Sequence, residues 1–292
     1  MKKIQILINL QNNATFFYKK LLVTLSLTFI FLEFTNIPVS AQTKQNAYLF
    51  PTSWYESDGG CIRLAITEPS LSGRRDGIIE ILLKPGWKTY WRNPGNSGFA
   101  PFFNFNQQVS YEIFYPTPQL YETENDWSLG YKDKVVLPFN ISGSSKNLSG
   151  TLTLGLCNKI CLPFTVNFDF SLSVQKNKHL PLSLLKKAQD ALPHTTHPEF
   201  QISAKKEINT LFIKIQNNNK ITPSSLFLDG GEMQIGPAKK VRENAEYTLF
   251  SAPIYFTPKE TNQKVFYTVA FKNYALSGTF ILHTQSNSLD TP

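Results

Sequence analysis

The chain has few of the residues that bind soft metal ions. Its 292 residues include only three cysteines, two methionines and four histidines. Soft ions such as Cu(I) need several thiolate, thioether or imidazole ligands at one place. The histidines all lie outside the strands predicted for the first half of the chain: His179, His194, His197 and His283. We therefore expect no metal site and no cofactor, and copper binding by thiols is the weaker alternative.

The chain also lacks a concentrated charge of either sign. It carries 29 basic and 21 acidic residues, and four of the lysines and one glutamate lie in the first 41 residues. The remaining 25 basic and 20 acidic residues leave a mild positive charge. Lysine pairs such as Lys186-Lys187 are isolated, which is typical of solvated loops and strand edges. We expect no nucleic-acid partner.

Long hydrophobic runs are absent except near the N-terminus. The apolar stretch 21–34 follows Lys19-Lys20 and is shorter than the roughly 20 residues that span a bilayer. Val39-Ser40-Ala41 then provides compact residues for cleavage before Gln42. Residues 1–41 are predicted to be a cleavable secretion signal, and an uncleaved anchor is the alternative because the preceding region is long. The mature chain would be exported into an oxidising compartment without a membrane span.

Alternation of apolar and polar residues with a period of two recurs along the mature chain. Clear examples are Leu152, Leu154 and Leu156, and the longer run of Phe164, Val166, Phe168 and Phe170. Short strands separated by Gly- and Pro-containing turns are typical of β-sandwiches. The sequence therefore predicts an all-β fold, with a sandwich over residues 42–178.

A short helix and a second β unit are predicted after this sandwich. Leu182, Leu185 and Leu192 lie at helical spacing between Pro181 and Pro193, which gives a linker helix within residues 179–198. Alternation returns over residues 199–285, which predicts a second, smaller β domain for docking or spacing. Residues 286–292 are predicted to be a disordered tail.

Two of the three cysteines, Cys157 and Cys161, sit at the ends of two predicted strands. The three residues between them suit a hairpin loop. Facing residues of a hairpin have Cα atoms about 4.5–5.5 Å apart, which a disulfide accepts. Because Leu156 and Phe164 are assigned to the core, strand parity turns both sulfurs outward, where another thiol would reach them.

The spacing alone leaves three interpretations of this pair open. It is a local staple, a redox centre, or the weaker metal site. A bridge that closes a five-residue loop contributes only about 2 kcal/mol on the chain-entropy model. A thioredoxin-type C-x-x-C on a helix is absent, so the pair suits electron transfer between partners by thiol–disulfide exchange. The third cysteine, Cys61, is predicted to be an inert thiol on the non-core face, beside Arg63.

Four motifs in order resemble a known family. They are the string Lys84–Gly98, the segment Tyr115–Pro118, the segment Gly130–Pro138, and Cys157-x3-Cys161-Leu162-Pro163. Together they are similar to the N-terminal periplasmic domain of the thiol:disulfide interchange protein DsbD, in the branch of the ScsB proteins associated with copper tolerance. The motifs cover about residues 50–175, and the helix and second β unit fit a ScsB-like arrangement.

The resemblance implies an immunoglobulin-like sandwich with a redox-active cysteine pair near one end. By position, Cys161 would form the mixed disulfide with partners, and Cys157 would resolve it. A loop that caps the pair would correspond to residues 125–131, with Trp127 as the candidate cap, Asp126 as a neighbouring carboxylate and Tyr131 beside them. The alternative for Trp127 is an ordinary packed aromatic. Tyr90 is a further candidate for lining the site.

The expected function is a periplasmic module that relays electrons through Cys157 and Cys161. The donor would be a membrane thiol reductase or a thioredoxin-like protein, and the acceptor a periplasmic thiol or disulfide protein. The second β unit is not followed by a membrane electron conduit or a thioredoxin-like domain. We therefore expect separate proteins to supply these two functions. The C-x3-C spacing is shorter than the C-x5-C of DsbD. The alternative is a non-enzymatic binding or assembly module with a structural disulfide.

Overall fold

The structure, a computed structural model, describes residues 48–124, 126–143, 145, 147–171, 179–196, 200–217, 221–259 and 262–283. The predicted signal at 1–41, the domain boundaries at 178 and 198–199, and the tail at 286–292 lie outside the described residues. The described residues belong to one compact unit. Within the described ranges, no helix is both long enough and apolar enough to cross a membrane.

Two antiparallel sheets form the first sandwich, with strands numbered in chain order. Sheet 1 contains β1 (Tyr48–Pro51), β2 (Tyr55–Ser57), β3 (Gly60–Ile66), β4 (Arg75–Leu83), β7 (Ser110–Ile113), β10 (Lys134–Ser142) and β13 (Leu180–Pro181). Sheet 2 contains β5 (Lys88–Tyr90), β6 (Phe102–Phe105), β8 (Gln119–Glu122), β9 (Trp127–Lys132), β11 (Ser149–Cys157) and β12 (Cys161–Asp169). Sheet 2 runs in the order β12-β11-β5-β9-β8, with β6 beside the first half of β11.

The core of this sandwich is formed by the alternating residues that the sequence assigned to it. Leu152, Leu154 and Leu156 of β11 are buried in the same cluster as Val166 and Phe168 of β12. Burying such side chains contributes about 1.5–3 kcal/mol each relative to exposure. The alternation therefore fixes which face of sheet 2 points inward, and with it the face that carries the cysteines.

A short helix packs on the outer surface of sheet 1. Helix α1 spans Ser183–Asp190, inside the predicted linker. Leu185 and Ala188 lie one turn apart and are buried in a small cluster with Leu49, Ala65 and Ile78. The helix predicted after Pro181 is confirmed, and it is attached to the first sandwich by its apolar face.

The second β unit is also built from two sheets. Sheet 3 contains β14 (His194–Thr195), β17 (Ser225–Asp229), β21 (Asn262–Ala270) and β22 (Ala275–His283). Sheet 4 contains β15 (Ile202–Glu207), β16 (Thr210–Gln216), β18 (Gln234–Ile235), β19 (Lys239–Glu243) and β20 (Tyr247–Phe256). A separate core lies between them, with Leu211, Phe250 and Val265 among its buried members. The predicted fold class is confirmed: an immunoglobulin-like β-sandwich, a short helix and a smaller β domain.

The segment after β5 joins the two β units. Asn93 donates hydrogen bonds from Nδ2 to the carbonyls of Leu228, at 2.9 Å, and Ile235, at 3.3 Å. Phe227 of β17 packs against Trp91, with ring centroids 6.4 Å apart, and is buried in the core of the first sandwich. The second unit therefore holds the segment that leads from β5 into the Asn93–Gly98 loop.

Candidate thiol–disulfide site

Cys157 and Cys161 close the hairpin of β11 and β12. The two residues face each other in the register and form a disulfide, with Cα atoms 4.1 Å apart. The strands end at the predicted residues because Asn158, Lys159 and Ile160 form the predicted three-residue loop. The facing arrangement expected from the sequence is confirmed.

The two sulfurs are on the outer face of sheet 2, but they are not equally accessible. Cys157 is only 5% exposed, whereas Cys161 is partly exposed. Neither belongs to the sandwich core. The expectation that both sulfurs lie open was therefore wrong for Cys157. The alternation of residues along β11 correctly placed Cys157 on the outer face of sheet 2. This part of the outer face is nevertheless buried.

Tyr90 lies on this face, beside the disulfide. Its ring lies between Gly98 and Gly155, where a Cβ atom on either glycine would come within 2.1 Å and 2.7 Å of ring carbons. Only glycine permits this close approach. The Tyr90 hydroxyl is 2.8 Å from Cys161 Sγ. Tyr90 thus stands over the outer face of β11 and touches the more exposed cysteine, where the sequence analysis expected it. Its role there stays a prediction.

The Tyr90 hydroxyl is a neutral hydrogen-bond donor throughout the physiological range. Burial raises its pKa to about 12, and the nearby Asp126 carboxylate adds to this effect. A hydrogen bond with Ser97 opposes the shift. A phenol in this state donates to a sulfur anion more readily than it ionises.

Asp126 lies in the same neighbourhood. Its Oδ2 accepts a hydrogen bond from Ser97 Oγ at 2.8 Å. Asp126 also acts electrostatically on Lys88 and Tyr90. The structure therefore brings Asp126 and Tyr90 together near the cysteines. The preceding Asn125, part of the predicted cap loop, lies outside the described residues.

Trp127 and Tyr131 are placed elsewhere. Trp127 is 7% exposed and is buried in the sandwich core with Leu129 and Tyr131, on the face of β9 opposite to Ser128 and Lys132. Tyr131 donates its hydroxyl hydrogen to the Pro116 carbonyl at 2.7 Å, and burial raises its pKa well above the usual value. Trp127 does not cover the disulfide and Tyr131 does not line it, because their strand parity directs both inward. These two assignments are corrected.

Lys88 is a site residue that the sequence reasoning missed. It lies directly opposite Cys157 in the pairing of β5 with β11. Its Nζ donates a hydrogen bond to Ser128 Oγ at 2.6 Å. Burial lowers the pKa of its ammonium group. The sequence does indicate that Lys88 and Tyr90 lie on the same face of β5, because they are two residues apart in a strand. It does not reveal that β5 pairs with β11.

Apolar side chains surround the exposed side of the disulfide. Ile160, in the loop between the cysteines, is 71% exposed, and Leu162 is 46% exposed. Exposed apolar groups beside the disulfide are suited to contact with another protein.

The third cysteine is separate from this site. Cys61 is a free, partly buried thiol on β3 of sheet 1, and burial raises its pKa. It thus lacks the lowered pKa of reactive thiols. In the part of the chain that the structure describes, no cluster of three or more His, Cys, Asp or Glu residues is arranged to hold a metal ion.

Comparison with known proteins shows what the first sandwich is similar to. Residues 67–172 match the family described as "Thiol:disulfide interchange protein DsbD, N-terminal". The fold is similar to the crystal structure of the N-terminal periplasmic domain of ScsB from Proteus mirabilis, with a TM-score of 0.70 and 22% sequence identity over 81% of this chain and 100% of that one. No curated protein matches the chain in sequence. The resemblance inferred from the four motifs is confirmed.

Proposed function

We propose that this chain is a periplasmic thiol–disulfide exchange module that relays electrons through Cys157 and Cys161, building on the match of residues 67–172 to the DsbD N-terminal family. The observation that carries the proposal is the asymmetry of the disulfide. Cys161 is partly exposed and has the Tyr90 hydroxyl beside its sulfur, whereas Cys157 is buried. One sulfur is thus placed to meet a partner, and the other to complete the exchange within the chain.

The proposed cycle has two halves. A donor dithiol, in a membrane thiol reductase or a thioredoxin-like protein, reduces the Cys157–Cys161 disulfide and becomes a disulfide itself. The Cys161 thiolate then attacks a disulfide of an acceptor protein, which forms a mixed disulfide and releases one acceptor thiolate. Cys157 attacks Cys161 Sγ, the original intramolecular disulfide re-forms, and the second acceptor thiolate leaves with the electron pair. Two electrons pass from donor to acceptor.

The environment of Cys161 supports the attacking role. A hydroxyl that donates to a thiolate favours the charged form and lowers the thiol pKa. The exposed Ile160 and Leu162 offer a partner an apolar surface next to the reacting sulfur. The solved ScsB domain is described as periplasmic. A location outside the cytoplasm also suits a disulfide that must persist between turnovers.

Trapping tests this proposal directly. A Cys157→Ala variant should accumulate mixed disulfides through Cys161, because the resolving thiol is missing. The variant is expressed in the periplasm, free thiols are blocked with N-ethylmaleimide, and covalent adducts are separated on non-reducing gels. A Cys161→Ala variant should give no adducts, and Cys61→Ser should leave the adducts of Cys157→Ala unchanged. Absence of adducts from well-expressed Cys157→Ala protein would rule out the relay.

A second candidate function is a non-enzymatic binding or assembly module with a structural disulfide. The burial of Cys157 favours it, since structural bridges are usually buried. A reduction potential far below about −300 mV would support this function. Copper handling by the reduced thiol pair is a third candidate, and titration of the reduced protein with Cu(I) without binding would eliminate it.

A further inference from the structure

Strand β12 is an edge of sheet 2, and Cys161 is its first residue. One side of β12 pairs with β11 along its whole length, and the register runs without a bulge. In the described ranges, no strand pairs with the other side of β12. A regular free edge presents a row of backbone N–H and C=O groups to which another chain can bond.

The hydrogen bonds around β12 show which of its backbone groups point away from β11. Just beyond the strand, the Phe170 N–H donates to the Leu148 carbonyl at 2.7 Å, so these residues form a hydrogen-bonded pair. Bonded and non-bonded pairs alternate along an antiparallel ladder, and Cys161 lies an odd number of positions from Phe170. Cys157 and Cys161 are therefore a non-bonded pair, in agreement with their Cα separation of 4.1 Å. The N–H and C=O of Cys161 thus point to the free edge.

The next pair along the hairpin agrees with this direction. Gly155 lies opposite Pro163, and the Gly155 carbonyl accepts a hydrogen bond from Thr89 Oγ1 on the β5 side, at 2.9 Å. Proline lacks an N–H, and in an edge strand it occupies a position whose N–H would face away from the ladder. The same alternation turns the backbone groups of Thr165 and Asn167 to the free edge. None of these outward groups has a backbone partner in the part of the chain that the structure describes.

The edge of β12 also lacks the charges that protect many free edges. Lysine on an edge strand discourages pairing with another chain. The edge strands of the second β unit have such residues: Lys205 and Lys206 on β15, and Lys239 and Lys240 on β19. In β12 the only charged residue is the last one, Asp169. An uncharged, regular edge that begins at Cys161 is suited to pair with a further strand.

We propose that the free edge of β12 is the docking site for an extended segment of the exchange partner, which pairs antiparallel with β12 and places the partner's cysteine directly opposite Cys161. This inference rests on the exchange function proposed above and states how the partner is held. Main-chain hydrogen bonds would supply affinity, as they do when a peptide extends the sheet of another protein. The residues before the partner's cysteine would lie along Pro163, Thr165 and Asn167.

This pairing gives the distance that a mixed disulfide requires. Because the N–H and C=O of Cys161 point to the edge, a residue directly opposite would form a hydrogen-bonded pair, with Cα atoms about 5.5 Å apart. A disulfide accepts Cα separations of about 4.4–6.8 Å. The two side chains would also lie on the same face of the sheet. Cys157, Cys161 and the partner's cysteine would then form a row across sheet 2, with Cys161 in the middle.

The row matches the two steps of the exchange. The Cys161 thiolate attacks the sulfur of the paired cysteine, the bond between these sulfurs forms, and the second sulfur of the partner's disulfide leaves with the electron pair. Cys157 then attacks Cys161 Sγ from the β11 side. The Cys157–Cys161 bond forms, and the paired cysteine leaves as a thiolate on the side of the free edge.

Backbone N-methylation of a peptide tests the inference without altering the edge. The protein is the reduced full chain with Cys157→Ala and Cys61→Ser, in which Cys161 is the only thiol. The probe is a short peptide of threonine and valine, whose next-to-last residue is a cysteine in a disulfide with thionitrobenzoate. Attack by Cys161 on the peptide's sulfur joins the peptide to the protein and releases coloured thionitrobenzoate, which is followed by stopped-flow absorbance.

The position of the methyl group should decide its effect. The N–H of the fourth residue before the peptide's cysteine would face Thr165, and a methyl group there removes one hydrogen bond. At low peptide concentration the rate of adduct formation should fall by about 2- to 12-fold, the factor that one hydrogen bond contributes. A methyl group on the third residue before the cysteine would face away from β12. That peptide is the matched control and should keep the rate of the unmethylated one.

Amide hydrogen exchange of the purified adduct gives a second measurement. The amides of Thr165 and Asn167 should exchange about tenfold more slowly in the adduct than in the free protein, because the peptide bonds them. The amides of Phe164 and Val166 bond to β11 with and without the peptide, so they serve as internal controls.

Equal rates for the two methylated peptides, or unchanged exchange at Thr165 and Asn167, would overturn the inference. Ellman's reagent has no peptide backbone and separates this result from failure of the exchange function, since a Cys161 thiol that does not react with it would contradict the exchange itself. Dimers of the free protein in analytical ultracentrifugation, with Thr165 and Asn167 already protected, would assign the edge to a second copy of the chain and also overturn the inference.

Discussion

Removing the hydroxyl of Tyr90 should weaken the attacking thiol without disturbing the fold. The ring is fully buried between Gly98 and Gly155, so Tyr90→Phe keeps its packing and removes only the oxygen that lies 2.8 Å from Cys161 Sγ. In the oxidised protein this costs one neutral hydrogen bond, about 0.5–1.5 kcal/mol of unfolding free energy.

The cost is larger when Cys161 is a thiolate. Hydrogen bonds to charged groups contribute about 1.5–3 kcal/mol, and one pKa unit corresponds to about 1.4 kcal/mol. The pKa of Cys161 should therefore rise by about one to two units in Tyr90→Phe. Because the pKa of Tyr90 itself is raised to about 12, the phenol remains protonated and donating at every pH used for the titration below about pH 10.

The assay is the pH dependence of iodoacetamide alkylation of Cys161 in a Cys157→Ala, Cys61→Ser background. Tyr121→Phe is the matched control, since Tyr121 is in sheet 2 near Lys88 but donates to Gln119 Oε1 at 2.9 Å. The same Cys161 pKa in both phenylalanine variants would refute the role given to Tyr90.

Three further predictions concern stability and placement. Reduction of the disulfide should lower the free energy of unfolding by no more than about 2 kcal/mol in urea titrations, because the closed loop has five residues; global unfolding on reduction would contradict this. Asn93→Ala should lower the free energy of unfolding by about 1–3 kcal/mol and speed hydrogen exchange of the Gly95 amide. Asn93 donates to two carbonyls of the second unit, and its Oδ1 accepts from the Gly95 amide. Unchanged exchange at Gly95 would count against the role of Asn93 in joining the two β units. Trp127→Phe should lower stability by about 0.5–3 kcal/mol with the Cys161 pKa unchanged, and a shifted pKa would restore Trp127 as a cap.

Local patterns were enough to predict the hairpin and the helix. Alternating Leu and Phe residues fixed the inward face of β11 and β12, and the three residues between the cysteines fixed the turn. The helix between Pro181 and Pro193 followed from the spacing of its apolar residues. In both cases neighbouring residues in the chain decide the structure.

The errors had two sources. One was packing between segments that are distant in the chain, and the other was that the alternation rule was not applied to β9. Trp127, Leu129 and Tyr131 alternate with Ser128, Gly130 and Lys132, so the rule used for the hairpin would have placed Trp127 in the core. The burial of Cys157 could not be predicted in this way. On the same face, the Tyr90 ring is held between two glycines on different segments, Gly98 and Gly155, and alternation within one strand does not reveal such packing. Lys88 escaped notice because only the pairing of β5 with β11 brings it to the cysteines.

The reduction potential of the Cys157–Cys161 pair tests the central claim most directly. The protein is equilibrated with glutathione and dithiothreitol buffers of known ratio, the thiols are trapped, and the oxidised fraction is determined by mass spectrometry. An electron relay requires a bridge that partners can both reduce and re-form, so the account predicts a potential above about −300 mV. A potential far below that value would show a structural disulfide and contradict the proposed exchange.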